Sequence, residues 1–193
     1  MKACVLYSGG KDSSLMAIIL KNMGFDVDLV TANFGVYDSY LSASASAKDL
    51  GLNHVLLKMD IAILNNAIAI IKEDGFPNNG INYIHKNVLD EVANTYDIVA
   101  DGTRRDDKVP KLSHGEIQSL EDRKKVQYVN LNGFGHKTIE TLVSKLFKIK
   151  HEKSNRDNSS DYEVEIRILI DELGGISDDI FPEHYQTKVV GFK

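Results

Sequence analysis

The chain has 193 residues, 42% of them apolar and 26% charged, with a net charge of −5. That length and balance fit one large domain with an appendage and exclude a disordered, collagen-like or coiled-coil chain. A single cysteine excludes an intramolecular disulfide, a four-cysteine zinc site and a cysteine-ligated iron–sulfur cluster.

Met1 to Tyr7 carries too short an apolar run for a signal peptide. The longest apolar stretch, Ile61 to Ile71, is interrupted by Asn65 and Asn66. The expectation is therefore a soluble cytoplasmic protein that spans no bilayer. Ala3 to Tyr7 reads as a strand buried on both faces, followed by a helix over Ser13 to Met23 that stops at Gly24. Further along, Asp28 to Ala32 is a strand, Tyr40 to Leu50 a helix, and His54 to Met59 a third strand. Two helical patterns, Ile61 to Glu73 and Ile81 to Tyr96, precede a fourth strand at Asp97 to Ala100. This alternation predicts an α/β fold, a doubly wound and mostly parallel sheet.

After Asp101 the pattern changes to a polar loop, a helix at Glu116 to Lys124 and a strand at Val126 to Leu131. Then come a helix at Thr138 to Phe147, a polar linker through Ser160, a helix at Tyr162 to Leu173 and a strand at Thr187 to Phe192. Asn155 to Ser160 is the segment expected to be mobile. The domain division is a core over 1–112, continued by 113–193, which offers a substrate or partner surface. Whether the C-terminal helices cover the sheet or a second copy is left open by the pattern, so an oligomer is one outcome.

Ser8-Gly9-Gly10-Lys11-Asp12-Ser13-Ser14 joins the first strand to the first helix. Two glycines allow close backbone approach, the helix N-terminus directs amides and positive partial charge into one space, and three hydroxyls add donors. The chemistry is that of a phosphate nest. Asp12 would repel phosphate unless it caps the helix or holds Mg²⁺ against it. A Walker loop is absent, because Asp12 follows Lys11 and no glycine stands five before Gly10. The Gly-x-Gly-x-x-Gly dinucleotide fingerprint is absent too.

This run resembles the Ser-Gly-Gly-x-Asp-Ser signature of the PP-loop, or N-type, ATP pyrophosphatases. The resemblance implies a Rossmann-like fold of the adenine-nucleotide α-hydrolase type with an α/β C-terminal extension. It also implies cleavage of ATP to AMP and pyrophosphate with Mg²⁺. By the same likeness Ser8, Gly9, Gly10, Lys11, Asp12, Ser13 and Ser14 hold the pyrophosphate end, and adenine lies beside Thr31, Ala32, Asn33 and Phe34. Gly102-Thr103, within Asp101 to Asp107, is similar to the loop that closes over the nucleotide. There Arg104 and Arg105 are candidates to neutralise the α-phosphate, and Asp101 or Asp106 to join Asp12 on the metal.

Asp101 to Pro110, Asp161 to Arg167 and Phe181 to Thr187 resemble a narrower archaeal-type group of PP-loop proteins expected to serve tRNA uridine modification. Glu163 and Arg167, at i and i+4, are spaced to pair, and His184 reads as a structural histidine. Cys4 reads as a buried thiol rather than a sulfur carrier, so any transferred sulfur must come from a partner protein or free sulfide. Lys137 to Arg156 carries six basic residues against two acidic, while Asp157 to Glu183 carries nine acidic residues against Arg167. The basic stretch is the candidate contact for tRNA phosphates. Two other readings stay open: a small-molecule amidating ligase, and a nucleotide-binding sensor or partner subunit with little turnover.

Overall fold

A computed structural model describes residues 1–193. Five strands, β1 (Lys2–Leu6), β2 (Asp26–Asn33), β3 (Asn53–Lys58), β4 (Ile98–Arg104) and β5 (Gln127–Leu131), form one parallel sheet in the order β3-β2-β1-β4-β5. Two more, β6 (Phe147–Lys153) and β7 (Tyr185–Phe192), pair antiparallel as a separate ribbon. The helices are α1 (Lys11–Asn22), α2 (Tyr40–Asp49), α3 (Ile61–Asp74), α4 (Asn78–Val92), α5 (His114–Lys124), α6 (His136–Leu146) and α7 (Tyr162–Glu172). None is long and apolar enough to cross a membrane.

The strand period of two divides the core. Cys4 and Leu6 of β1 face one apolar layer with α3, α4 and α7, whereas Ala3 and Val5 face a second layer with α1, α2, α6 and the ribbon. Cys4 is fully buried, and burial pushes its thiol up to about 12, which leaves it unreactive. The α/β class and doubly wound sheet expected from the sequence are the ones observed.

Three sequence expectations are corrected. The stretch after Phe147 is a strand, because β7 supplies it with a partner more than thirty residues away. The fourth strand runs past Ala100 to Arg104 through an irregularity in its pairing with β5. The Asn155 to Ser160 segment is fastened rather than free: Ser160 Oγ donates to Ser39 O (2.5 Å) and accepts from the Ala43 amide (2.8 Å), and Ser159 is buried.

Helix α7 is tied to the sheet by a buried carboxylate. Glu165, 2% exposed, accepts from the amides of Phe34 (3.0 Å) and Val36 (2.9 Å) just beyond β2. Burial pushes this carboxyl up, and the amides pull partly against that shift. Glu165→Leu leaves those buried amides without an acceptor. A loss of about 1–3 kcal/mol is expected in urea unfolding, with the slope against denaturant unchanged.

Candidate functional site

In the sheet order, β2 and β3 lie to one side of β1 and β4 and β5 to the other, so the order reverses between β1 and β4. A doubly wound sheet opens a crevice at the carboxyl ends of its strands at such a point. A cleft of ≈ 620 Å³ lies there, bordered by Ser8 after β1, Thr31 and Ala32 of β2, Asp101 to Arg104 of β4, and residues of the ribbon and α7.

The loop before α1 forms the floor. Gly9 has φ of +83°, a conformation that favours glycine, and a side chain there would press on Ser46 Cβ at 3.3 Å. Gly10 precedes the helix in extended geometry without a side-chain cap. The amides of Gly10, Lys11, Asp12 and Ser13 find no acceptor in the chain; the first amide in this run to do so is Ser14, bonded to Gly10 O (3.1 Å). Orphan N–H groups at a helix start combine with the helix dipole into a cradle for an anion.

The charged groups at its lip neutralise one another. Lys11 Nζ lies 2.8 Å from Asp12 Oδ1 and 3.0 Å from Glu140 Oε1. Arg104 Nε stands 3.7 Å from Asp12 Oδ2, while its guanidinium is bound to Asp107 through Nε (3.0 Å) and Nη2 (2.7 Å). Ser8, Gly10, Lys11, Asp12, Ser13, Ala32, Gly102, Thr103 and Arg104 all border the cleft.

Other candidates are placed elsewhere. Ser14 is fully buried beneath the loop, where its hydroxyl donates to Gly10 O (2.8 Å) and meets Tyr7 Oη (3.1 Å), so it braces the loop and does not face the cleft. Asn33 folds back onto Tyr37 O and the Gly35 amide, and Phe34 enters the core. Of the residues expected beside adenine, Thr31 and Ala32 do border the cleft, and Val30 joins them there. Arg105 is exposed, lies against Gly135 and does not border the cleft, because β4 ends at Arg104 and the chain turns there. Asp106 is likewise exposed and does not border the cleft.

Asp101 is corrected from an open metal ligand to an engaged carboxylate. It is 3% exposed and accepts from Thr103 N (2.8 Å), Tyr128 Oη (2.6 Å) and His85 Nε2 (2.9 Å). His85 in turn meets Tyr162 Oη at 3.2 Å. This chain, drawn from α4, β4, β5 and α7, was invisible to sequence reasoning, which had no signal to link the four segments. Asp161 was missed as well: its Oδ1 is buried without a partner, and the residue borders the cleft. Glu163 pairs with Arg167 (2.7 Å) as its spacing suggested, and burial, reinforced by Asp161, pushes its carboxyl up. His184 stands just before β7, its Nδ1 3.7 Å from Glu163.

The arrangement is that of a doubly wound α/β protein with an amide-lined cradle at its switch point. Residues 1–191 match the family of unknown function DUF7411, and the chain belongs to that family. It is 51% identical over 194 residues to an uncharacterized protein of Methanocaldococcus jannaschii, spanning 100% of this chain and 97% of that one. It is also similar, at 50% identity and a TM-score of 0.93, to a crystal structure from the same organism described as a predicted subunit of tRNA methyltransferase. That match covers 100% of this chain and 98% of the other.

Two outcomes test this geometry. A Cβ on Gly102 would fall 2.5 Å from Ser13 N and 2.8 Å from Asp12 C, against backbone that cannot swing aside. Gly102→Ala is expected to cost about 1–3 kcal/mol in urea unfolding, whereas Gly115→Ala, which meets nothing within 4 Å, leaves stability unchanged or raised. For Asp101, burial alone would push the carboxyl up, but its three donors outweigh burial and hold it below the ordinary carboxylate range. Its stabilisation is therefore present above the unfolded value of about 3.9 and lost as pH falls through the depressed folded value. In melts from pH 7 to pH 2, Asp101→Asn is expected to lie well below the native protein at neutral pH, the gap shrinking below about pH 4. A constant gap would contradict this.

Proposed function

We propose that the protein is an ATP pyrophosphatase of the PP-loop type that adenylates a substrate oxygen in tRNA base modification. The observation that carries the reading is the set of unpartnered amides from Gly10 to Ser13, all in residues that border a cleft at the switch point. The described role of the Methanocaldococcus jannaschii neighbour supports the tRNA side of it. Residues 113–193 continue the core of 1–112 and supply its substrate surface; the pairing of β5 with β4 favours this.

In the reaction, a substrate oxygen attacks the α-phosphorus of ATP, the bond to the bridging oxygen breaks, and pyrophosphate leaves with that electron pair. The cradle amides receive the pyrophosphate, and Arg104 faces the charge that develops on the α-phosphoryl group. A nitrogen or sulfur nucleophile then displaces AMP from the substrate. Positioning and fixed dipoles supply the catalysis, so no protein nucleophile is required. Asp161 Oδ1, buried without a donor, is suited to accept from a hydroxyl or amine of the bound nucleoside.

No three His, Cys, Asp or Glu side chains converge on a metal-sized site, but Asp12 fits the single carboxylate that Mg²⁺ needs when phosphates supply other oxygens. Bound there, the metal would neutralise phosphate charge.

The test is incubation with α-labelled ATP and Mg²⁺, with and without tRNA, separating AMP from ADP. AMP that forms only with tRNA, and falls at least about 100-fold in Asp12→Ala, is the expected result. AMP formed equally without RNA would move the reading to a small-molecule ligase. Tight ATP binding without AMP would make the protein a nucleotide-binding partner subunit, a reading favoured by the neighbour's description as a subunit.

A further inference from the structure

The β6–β7 ribbon forms one wall of the cleft with one of its faces, and its two faces each carry a feature that the ATP chemistry does not use. His151 and Tyr185 both border the cleft and stack face to face, ring centroids 5.4 Å apart and planes 4° from parallel. Tyr185 is nevertheless 67% exposed and His151 is exposed too, so the pair contributes little to the buried core. Mutual stacking fixes both rings and leaves an outer aromatic face beside the cleft. A centroid spacing of 5.4 Å is too small for a third ring to slide between them, so a planar guest must extend the stack from outside.

The second feature is charge. It lies on the ribbon's other face, since Lys150 is adjacent in the strand to His151: there Lys150 stands directly opposite Lys188, with Lys148 two residues along, and none of the three borders the cleft. Like charges directly opposite each other destabilise a two-stranded ribbon. Of the three lysines, only Lys150 reaches a carboxylate, Glu152 at 3.9 Å. A polyanion bound there would relieve the repulsion and release its counterions.

We infer that the ribbon is the acceptor-RNA site, with an unpaired base extending the His151–Tyr185 stack at the cleft and the flanking strand crossing the ribbon's edge, so that its phosphates reach Lys148, Lys150 and Lys188 on the other face. Bases splayed from single-stranded RNA are commonly held by stacking on Tyr and His rings. A base that is to be modified must leave its stack to reach a reactive group, and a fixed aromatic face gives it a replacement. Adenine of ATP is the other planar base available, but the Val30 to Ala32 wall lies nearer its expected place. The inference rests on the RNA-modification reading, and its failure can be told from the failure of that reading.

The experiment measures binding of unmodified tRNA transcripts across a salt series and binding of ATP by calorimetry, for the native chain, Tyr185→Ala, Tyr185→Phe and Lys148→Gln/Lys150→Gln. Tyr185→Ala is expected to weaken RNA binding about ten-fold or more at every salt concentration, with the salt slope unchanged. Tyr185→Phe keeps the stack and binds within about two-fold of the native chain. The double lysine variant reduces the salt slope by about two. ATP binding stays the same in all of them. If the native chain binds RNA and Tyr185→Ala binds it equally well, the stacking site is wrong and the RNA reading stands. Should Tyr185→Ala weaken ATP and not RNA, the pair serves adenine and the inference is overturned. No RNA binding by the native chain overturns both, leaving ATP cleavage to be judged on its own assay.

Discussion

The amide of Val189 donates to the carbonyl of Gly9 at 3.0 Å, and the rest of the site depends on that bond. It joins the last strand of the chain to the loop that follows the first. Ser46 strengthens the joint: its Oγ donates to Val189 O (2.7 Å) and meets Tyr7 Oη (2.8 Å), which also holds Ser14. The carbonyls of Gly9 and Gly10 are thus engaged by protein groups, while the amides from Gly10 to Ser13 have no acceptor in the chain. A loop held this way needs no reorganisation to receive an anion, and preorganised dipoles do most where water is excluded. The ribbon is therefore part of the site's foundation as well as one of its walls.

Two buried carboxylates set the other walls. Glu165 collects amides from the turn after β2 and so fixes where α7 starts, which in turn places Asp161, Tyr162 and Glu163 beside the cleft. Asp101 collects donors from α4, β5 and its own loop, and thereby sets the path of Gly102 and Thr103 over α1. Neither carboxylate could be buried singly, because an unpaired charge in the interior costs several kcal/mol. Each is tolerated because donors from distant segments converge on it. The cleft's shape thus follows from satisfying polar groups as much as from packing apolar ones.

This explains which parts were legible in the sequence. The parallel sheet announced itself through compact apolar runs such as Ala3 to Tyr7, and the loop from Ser8 to Ser13 through a local pattern of glycines and hydroxyls that owes nothing to distant residues. The β6 strand was not legible: Lys148, Lys150 and Lys153 make it look like a linker, and only pairing with β7 makes it a strand. Asp101 was seen as a free ligand because sequence order does not bring His85 and Tyr128 to it. Arg104 and Arg105 are chemically equal in a sequence, yet adjacent side chains at a strand end point apart, so one borders the cleft and the other lies on Gly135.

The same contrast governs electrostatics. The acidic segment from Asp157 to Glu183 suggests a negative face, but most of its carboxylates are consumed within the fold. Glu165 takes backbone amides, Glu163 and Asp178 hold Arg167, Asp171 holds Ser177, and Glu183 meets Lys153. Charge engaged in this way contributes little field at a distance, because each carboxylate is compensated or hydrogen-bonded where it stands. Lys148 and Lys188 have no such compensation, and Lys150 has only a long exposed contact. The field at the ribbon is therefore set by its unpaired lysines and not by the net charge of −5. An acidic chain can in this way present a locally positive edge on the ribbon whose other face walls the cleft.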